Sequence, residues 1–146
     1  MADVVLHGFD GLQDAFRAIS EIPFSVTSKA LNGMAEVAAE KIRASGEAMG
    51  VRDPESDVHI LDHIGHSKPR QTDDGGKAFI TFTGSRTRGS TATRNAEIAY
   101  INEYGAPHRG IRARPFILAG MTKNESAIAA PAETVIGDWI EKTYSR

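Results

Sequence analysis

Three histidines, His59, His63 and His66, stand four and three positions apart in the stretch VHILDHIGH. Imidazoles so spaced can gather a metal ion, and a metal-dependent hydrolase is the activity they would serve. On a helix His59 and His63 would share a face. No glutamate follows His59 as in the zinc-protease helix, Asp57 and Asp62 read as ordinary loop acids, and Pro54 and Pro69 flank the stretch, so a solvated loop is the stronger reading and no metal is assigned. The stretch TGSRTRGS sets glycines and serines beside arginines but lacks the lysine and spacing of a phosphate-binding loop. Serine, histidine and aspartate occur throughout without a nucleophile-elbow pattern. There is no cysteine, which removes thiolate nucleophiles and sulfur-bound metals. Neither a catalytic centre nor a cofactor is read from these residues.

The arginines offer binding rather than catalysis. Arg86, Arg88 and Arg94 fall within nine residues that hold no acid, in a segment from Gly84 to Asn95 that reads as a flexible hairpin loop. Three arginines release too few counterions to hold DNA alone, and no aromatic is interleaved for stacking, so a protein partner is favoured over nucleic acid. Arg109, Arg112 and Arg114 sit in stiffer surroundings, because Pro107 and Pro115 push Ala106 and Arg114 toward extended backbone. Glu103 and Tyr104 stand just before Gly105, so a carboxylate–guanidinium pair with Arg112 or Arg114 can form within one copy or across two.

Elements must position these groups. Apolar Leu31, Met34, Ala35, Ala38 and Ile42 recur at helical spacing, which predicts a long helix after Pro23. Asp10, three residues before Gln13, predicts an earlier helix behind a short strand in DVVLHGF. The knot Val58-Ile60-Leu61-Ile64 fits either a helical turn or a strand. KAFITFTGS reads as a strand, and NAEIAYINEYG as its antiparallel partner that turns helical near Tyr100. Met121, Ile128, Val135, Ile136, Trp139 and Ile140 predict a terminal helix, with a kink or a fresh start at Pro131. Phe116 and Trp139 are expected in the core, Trp139 facing the long helix. The order predicts an α+β fold, an antiparallel sheet packed on one face by the long helix and the C-terminal helix.

At 146 residues and 40% hydrophobic composition, one domain over 1–146 is the simplest division. The net charge of -2 does not suit a protein whose whole surface binds nucleic acid or membrane. The start, MADVVLHGFDG, lacks the basic and apolar regions of a signal peptide, and synthesis in the cytoplasm is expected.

The stretch AYINEYGAPHRGIRARPF, with a glutamate two residues before a glycine and Ala-Arg-Pro-Phe some nine residues later, resembles the signature of a family of tailed-phage tail components that includes head–tail joining and tail completion proteins. The element order is similar over nearly the whole chain. Where many members carry Ala-Pro-Val-x-Thr-Gly-x-Leu after the long helix, this chain has GEAMGVRDPESDVHILDHI. The resemblance implies a non-enzymatic virion protein at the junction of neck and tail, assembled as a homo-oligomeric ring with the tail's sixfold symmetry. A neck or connector protein would lie above it, a tail terminator or tail tube protein below, and DNA would pass only as cargo. A tail terminator or other minor tail protein is the nearest alternative; a small nucleic-acid-binding protein and a metal-dependent hydrolase stand further off.

Overall fold

Alanine and other strong helix formers dominate the stretch after Pro23, and helix α1 runs from Phe24 to Ala48. Pro23 is extended (φ -61°, ψ 144°), and its carbonyl accepts the N–H groups of Val26 and Thr27. The computed structural model describes residues 21–52 and 59–145; the strand expected in DVVLHGF and the helix led by Asp10 lie outside them. The buried face of α1 is lined by small residues, Ala30, Ala35, Ala38, Ala39 and Gly46, with Ile42 the large one. Small side chains let neighbouring backbones come close. A Cβ on Gly120 would stand 2.7 Å from the Ile42 Cα, and one on Gly33 would stand 2.8 Å from the Pro131 Cβ.

Those two contacts belong to helices α3 (Phe116–Thr122) and α4 (Glu125–Tyr144), which run back along α1 in the opposite direction. The break expected at Pro131 falls instead at Lys123 and Asn124. There the Asn124 side-chain amide donates to the Gly120 carbonyl and so satisfies the end of α3. Pro131 stays inside α4. The carbonyl its ring leaves unpaired, four residues earlier, is that of the exposed Ala127, and its own ring packs on Gly33.

Among the described residues six short strands form three antiparallel ribbons. β1 (Ile64–His66) pairs with β4 (Ile80–Phe82), β2 (Arg70–Thr72) with β3 (Gly75–Lys77), and β5 (Ser85–Arg88) with β6 (Thr91–Arg94). Val58 of the apolar knot lies outside the described residues; from Ile60 on the knot takes both forms open to it, a 3-10 turn over Ile60–His63 that runs into β1. The fold is α+β, with α1 and the C-terminal helix against the strands: Ile128 of α4 shares an apolar hollow with Ile80 of β4, and Ile136 a polar one with Gln71 and Thr72 of β2.

Residues 95–104 are helix α2 (Asn95–Tyr104), not the second strand of a hairpin. Its buried residues, Asn95, Ala99 and Glu103, lie four apart, and Gly105 ends it at φ +74°. β4 therefore pairs with β1.

The core lies at the C-terminal half of α1, where Ile42, Leu61 and Phe116 are fully buried beside Ile60, Ile64 and Ala99. Phe82 meets Phe116 edge-on, with ring centroids 6.0 Å apart. Trp139 is at the other end. It is half-buried beside Val26 and Lys29 and edge-on to Tyr144, so it covers the start of α1 rather than Ile42.

Candidate functional site

The segment after α2 is a pinched finger. Gly105 turns the chain at a positive φ, and a Cβ there would meet the Ala113 nitrogen at 2.7 Å and the Ile111 oxygen at 2.9 Å, so only glycine fits. Ala106 and Ile111 then bond to each other in both directions, with N–H to O distances of 2.9 and 3.1 Å. Between them Pro107, His108, Arg109 and Gly110 form a turn closed by Arg109 N–H to Ala106 and Gly110 N–H to Pro107. Gly110 completes it in the left-handed region at φ 69°. His108, Arg109, Gly110 and Arg112 are all exposed on this finger.

Two groups tie its base to the domain. Glu103, buried at 7% exposure, accepts the N–H groups of Ile117 and Leu118 at 2.8 and 3.0 Å. It caps α3, whose own N-cap residue Pro115 offers no side-chain acceptor. Its expected pairing with Arg112 or Arg114 is thus replaced within the chain by backbone amides. Arg114 is the second tie: its N–H donates to Asn102 at 2.6 Å, and its Nη1 donates to the Gly50 carbonyl past the end of α1 at 2.8 Å. A cation suits the negative end of that helix. Pro115 is exposed and Phe116 fully buried, as an anchored turn requires.

Arg109 and Arg112 thus remain the outward arginines of the motif. Tyr104 is also outward; it is 66% exposed and lies against Tyr100, 63% exposed, with ring centroids 4.7 Å apart. Two neighbouring tyrosines left in water on one helix face form a ready contact surface. Leu118 adds exposed apolar area on the helix that Glu103 caps.

The segment Gly84–Asn95 is a paired hairpin in which Ser85 opposes Arg94 and Arg88 opposes Thr91, turning at Gly89. Arg94 is exposed and Arg86 half-buried. Asn95 fastens this hairpin: fully buried, it donates its N–H to Gly84 and its side-chain amide to the Thr83 carbonyl at 2.7 Å. Its placement after a basic, flexible-looking stretch gives no sequence signal of burial.

Arg52 is a further site residue that sequence reasoning missed. Its guanidinium bonds Glu47 at 2.7 Å and both oxygens of Asp62 at 2.9 and 3.3 Å, clamping the end of α1 to the 3-10 turn. Hydrogen bonds from Arg52 hold both carboxyls below their ordinary range, and the two acids raise Arg52 further above its own. Arg43 reinforces the same joint by donating to the Leu61 carbonyl.

His59 precedes the turn, His63 ends it and His66 ends β1, and among the described residues no three histidine, aspartate or glutamate side chains gather as a metal site would need. Also among the described residues, no helix is long and apolar enough to cross a membrane. No family model matches the chain, and neither a curated protein nor a solved structure shows significant similarity to it.

Proposed function

We propose that this chain is a structural, non-enzymatic protein of a tailed-phage virion. In this reading it is one subunit of a sixfold ring at the neck–tail junction, completing the tail and joining it to the head connector. A connector or neck protein lies above the ring and the tail tube or its terminator below, with DNA passing through the lumen. The motif over residues 99–116 supports the reading. The observation that carries it furthest is the finger itself: a turn held by bonds in both directions, rooted by Glu103 and Arg114, that holds Arg109 and Arg112 outward. A subunit that must meet its neighbour at one fixed rotation needs a stiff protrusion bearing charge.

Genetics tests the proposal directly. An amber allele in the phage genome that carries the chain is expected to accumulate filled heads and free tails, and added purified protein to restore joined particles. Electron microscopy of purified tails incubated with the protein should show an added ring at the head-proximal end. Normal yields of joined particles without the protein would refute the role.

A further inference from the structure

A groove runs along α1 on the side where the strands face the C-terminal helix. Its lower half is a hollow of about 530 Å³ between Gln71 of β2 and Ile136 of α4, with Phe24 and Thr27 of the first turn of α1 beneath. Its upper half is a hollow of about 130 Å³ between Ile80 of β4 and Ile128 of α4, with Leu31, Met34 and Ala38 beneath. The two are consecutive because α4 runs back along α1: the step from Ile136 to Ile128 matches that from Thr27 to Ala35, about 12 Å of helix in each. Among the described residues, every side chain that lines the upper hollow is apolar, and Met121 at its edge is 40% exposed. A hollow of that size takes one large apolar side chain.

We infer that this groove is the docking site of the chain's own N-terminal segment, whose apolar stripe over residues 9–19 lies along it and sets Leu12 into the upper hollow. Ile22 already lines the lower half, so the residues that precede Glu21 enter the groove at its lower mouth. In that segment Phe9, Leu12, Phe16 and Ile19 recur at three- and four-residue spacings, with Asp10, Gln13, Asp14 and Arg17 between them. On a helix they form one apolar stripe that has to be covered. A helix that climbs from Ser20 carries Leu12 about 12 Å up, level with Leu31 and Met34, which stand about 10 and 15 Å beyond Phe24 along α1. Length, apolar pattern and point of entry therefore agree. The same copy is chosen because a segment tethered at Ile22 meets the groove at an effective concentration of about millimolar, which a second copy in dilute solution does not reach. The inference does not rest on the ring reading.

The test uses the full chain, which has no cysteine of its own, with a nitroxide attached at Gln13→Cys, a polar position off the stripe. The methyl resonances of Met34 and Met121 should broaden at least tenfold more than that of Met49, which packs on the core just past the far end of α1. Equal broadening of the three overturns the docking. When the nitroxide chain is mixed with isotope-labelled wild type, so that label and methyls lie on different molecules, the selective broadening should fall at least tenfold. Broadening that survives the mixing gives the groove to the segment of a second copy and overturns the same-copy reading. Engineered cysteine pairs provide an independent check. Leu12→Cys with Met34→Cys should close an intrachain disulfide in air, whereas Leu12→Cys with Ala48→Cys, about 21 Å further along α1, should not. If neither pair closes or both close alike, the segment does not lie over the groove and a partner protein is left to cover it.

Discussion

Glu103 near the end of α2 and Leu118 in the first turn of α3 are joined by a hydrogen bond of 3.0 Å across the base of the finger. Together with the bond to Ile117, it gives α3 the acceptor its own Pro115 cannot supply. Glu103→Ala leaves two amide donors without their partner and should cost about 1–3 kcal/mol. At this chain length that lowers Tm by about 3–10 °C. Glu103→Gln keeps one accepting oxygen and should lose less. A Glu103→Ala protein that melts with wild type would show that the cap does not hold α3.

Gly120 and Gly137 both sit in helices, yet opposite outcomes are expected on replacing them with alanine. A Cβ at Gly120 would enter the backbone of Ile42 and Lys41 at 2.7 to 3.0 Å, and backbone cannot yield cheaply, so Gly120→Ala should destabilise by about 1–3 kcal/mol. Among the described residues a Cβ at Gly137 would meet nothing within 4 Å outside its own helix, and Gly137→Ala should stabilise by up to about 1 kcal/mol through helix propensity. Urea unfolding of both variants checks the pair; equal signs would refute the packing of α3 on α1.

The Arg52 clamp makes stability depend on acid. Glu47 and Asp62 are held below their ordinary values of 4.5 and 3.8 by hydrogen bonds from Arg52. Carboxyls depressed in the folded state contribute stability that is full above those ordinary values and is lost as pH falls through the depressed ones. Arg52→Gln should therefore flatten the acid limb of a Tm-against-pH curve and leave its alkaline limb in place. Parallel acid limbs in the two proteins would count against the clamp.

The three arginines that closely follow Gly105 divide by role. Arg109→Ala with Arg112→Ala should leave Tm within about 2 °C of wild type, because exposed arginines contribute little to a monomer. The same pair should abolish the yield of joined particles. Arg114→Ala removes the tie to Gly50 and should lower Tm before any effect on assembly is read. If the Arg109 and Arg112 variant joins heads to tails normally, the finger is an anchoring turn and no more.

Much of this arrangement was legible in the sequence where a single physical signal dominated. The period of Leu31, Ala38 and Ile42 and the stop at Pro23 give α1, and Pro115 with Phe116 gives an anchored turn. Residues 95–104 misled because Ile98, Tyr100 and Ile101 are strand formers; the helix there buries polar Asn95 and Glu103 with Ala99, and only the glycine that follows was a sequence mark of it. Pro131 misled in the other direction: a proline breaks a helix only where no neighbour offsets the loss, and Gly33 supplies the room its ring needs. The role of Arg52 and the burial of Asn95 were not legible, since both come from partners distant in sequence.

The return of α3 and α4 along α1 also sets a timetable. On the ribosome α1 is made before the strands described here, but Phe116 and Gly120, which pack with Ile42, come only after all of those have emerged. Contacts so distant in sequence form slowly. Until they do, the alanine-lined face of α1 is bare, so nascent chains stalled before α3 should depend on chaperones and be quickly cut by proteases, while release of the last helix should end both within one cooperative step.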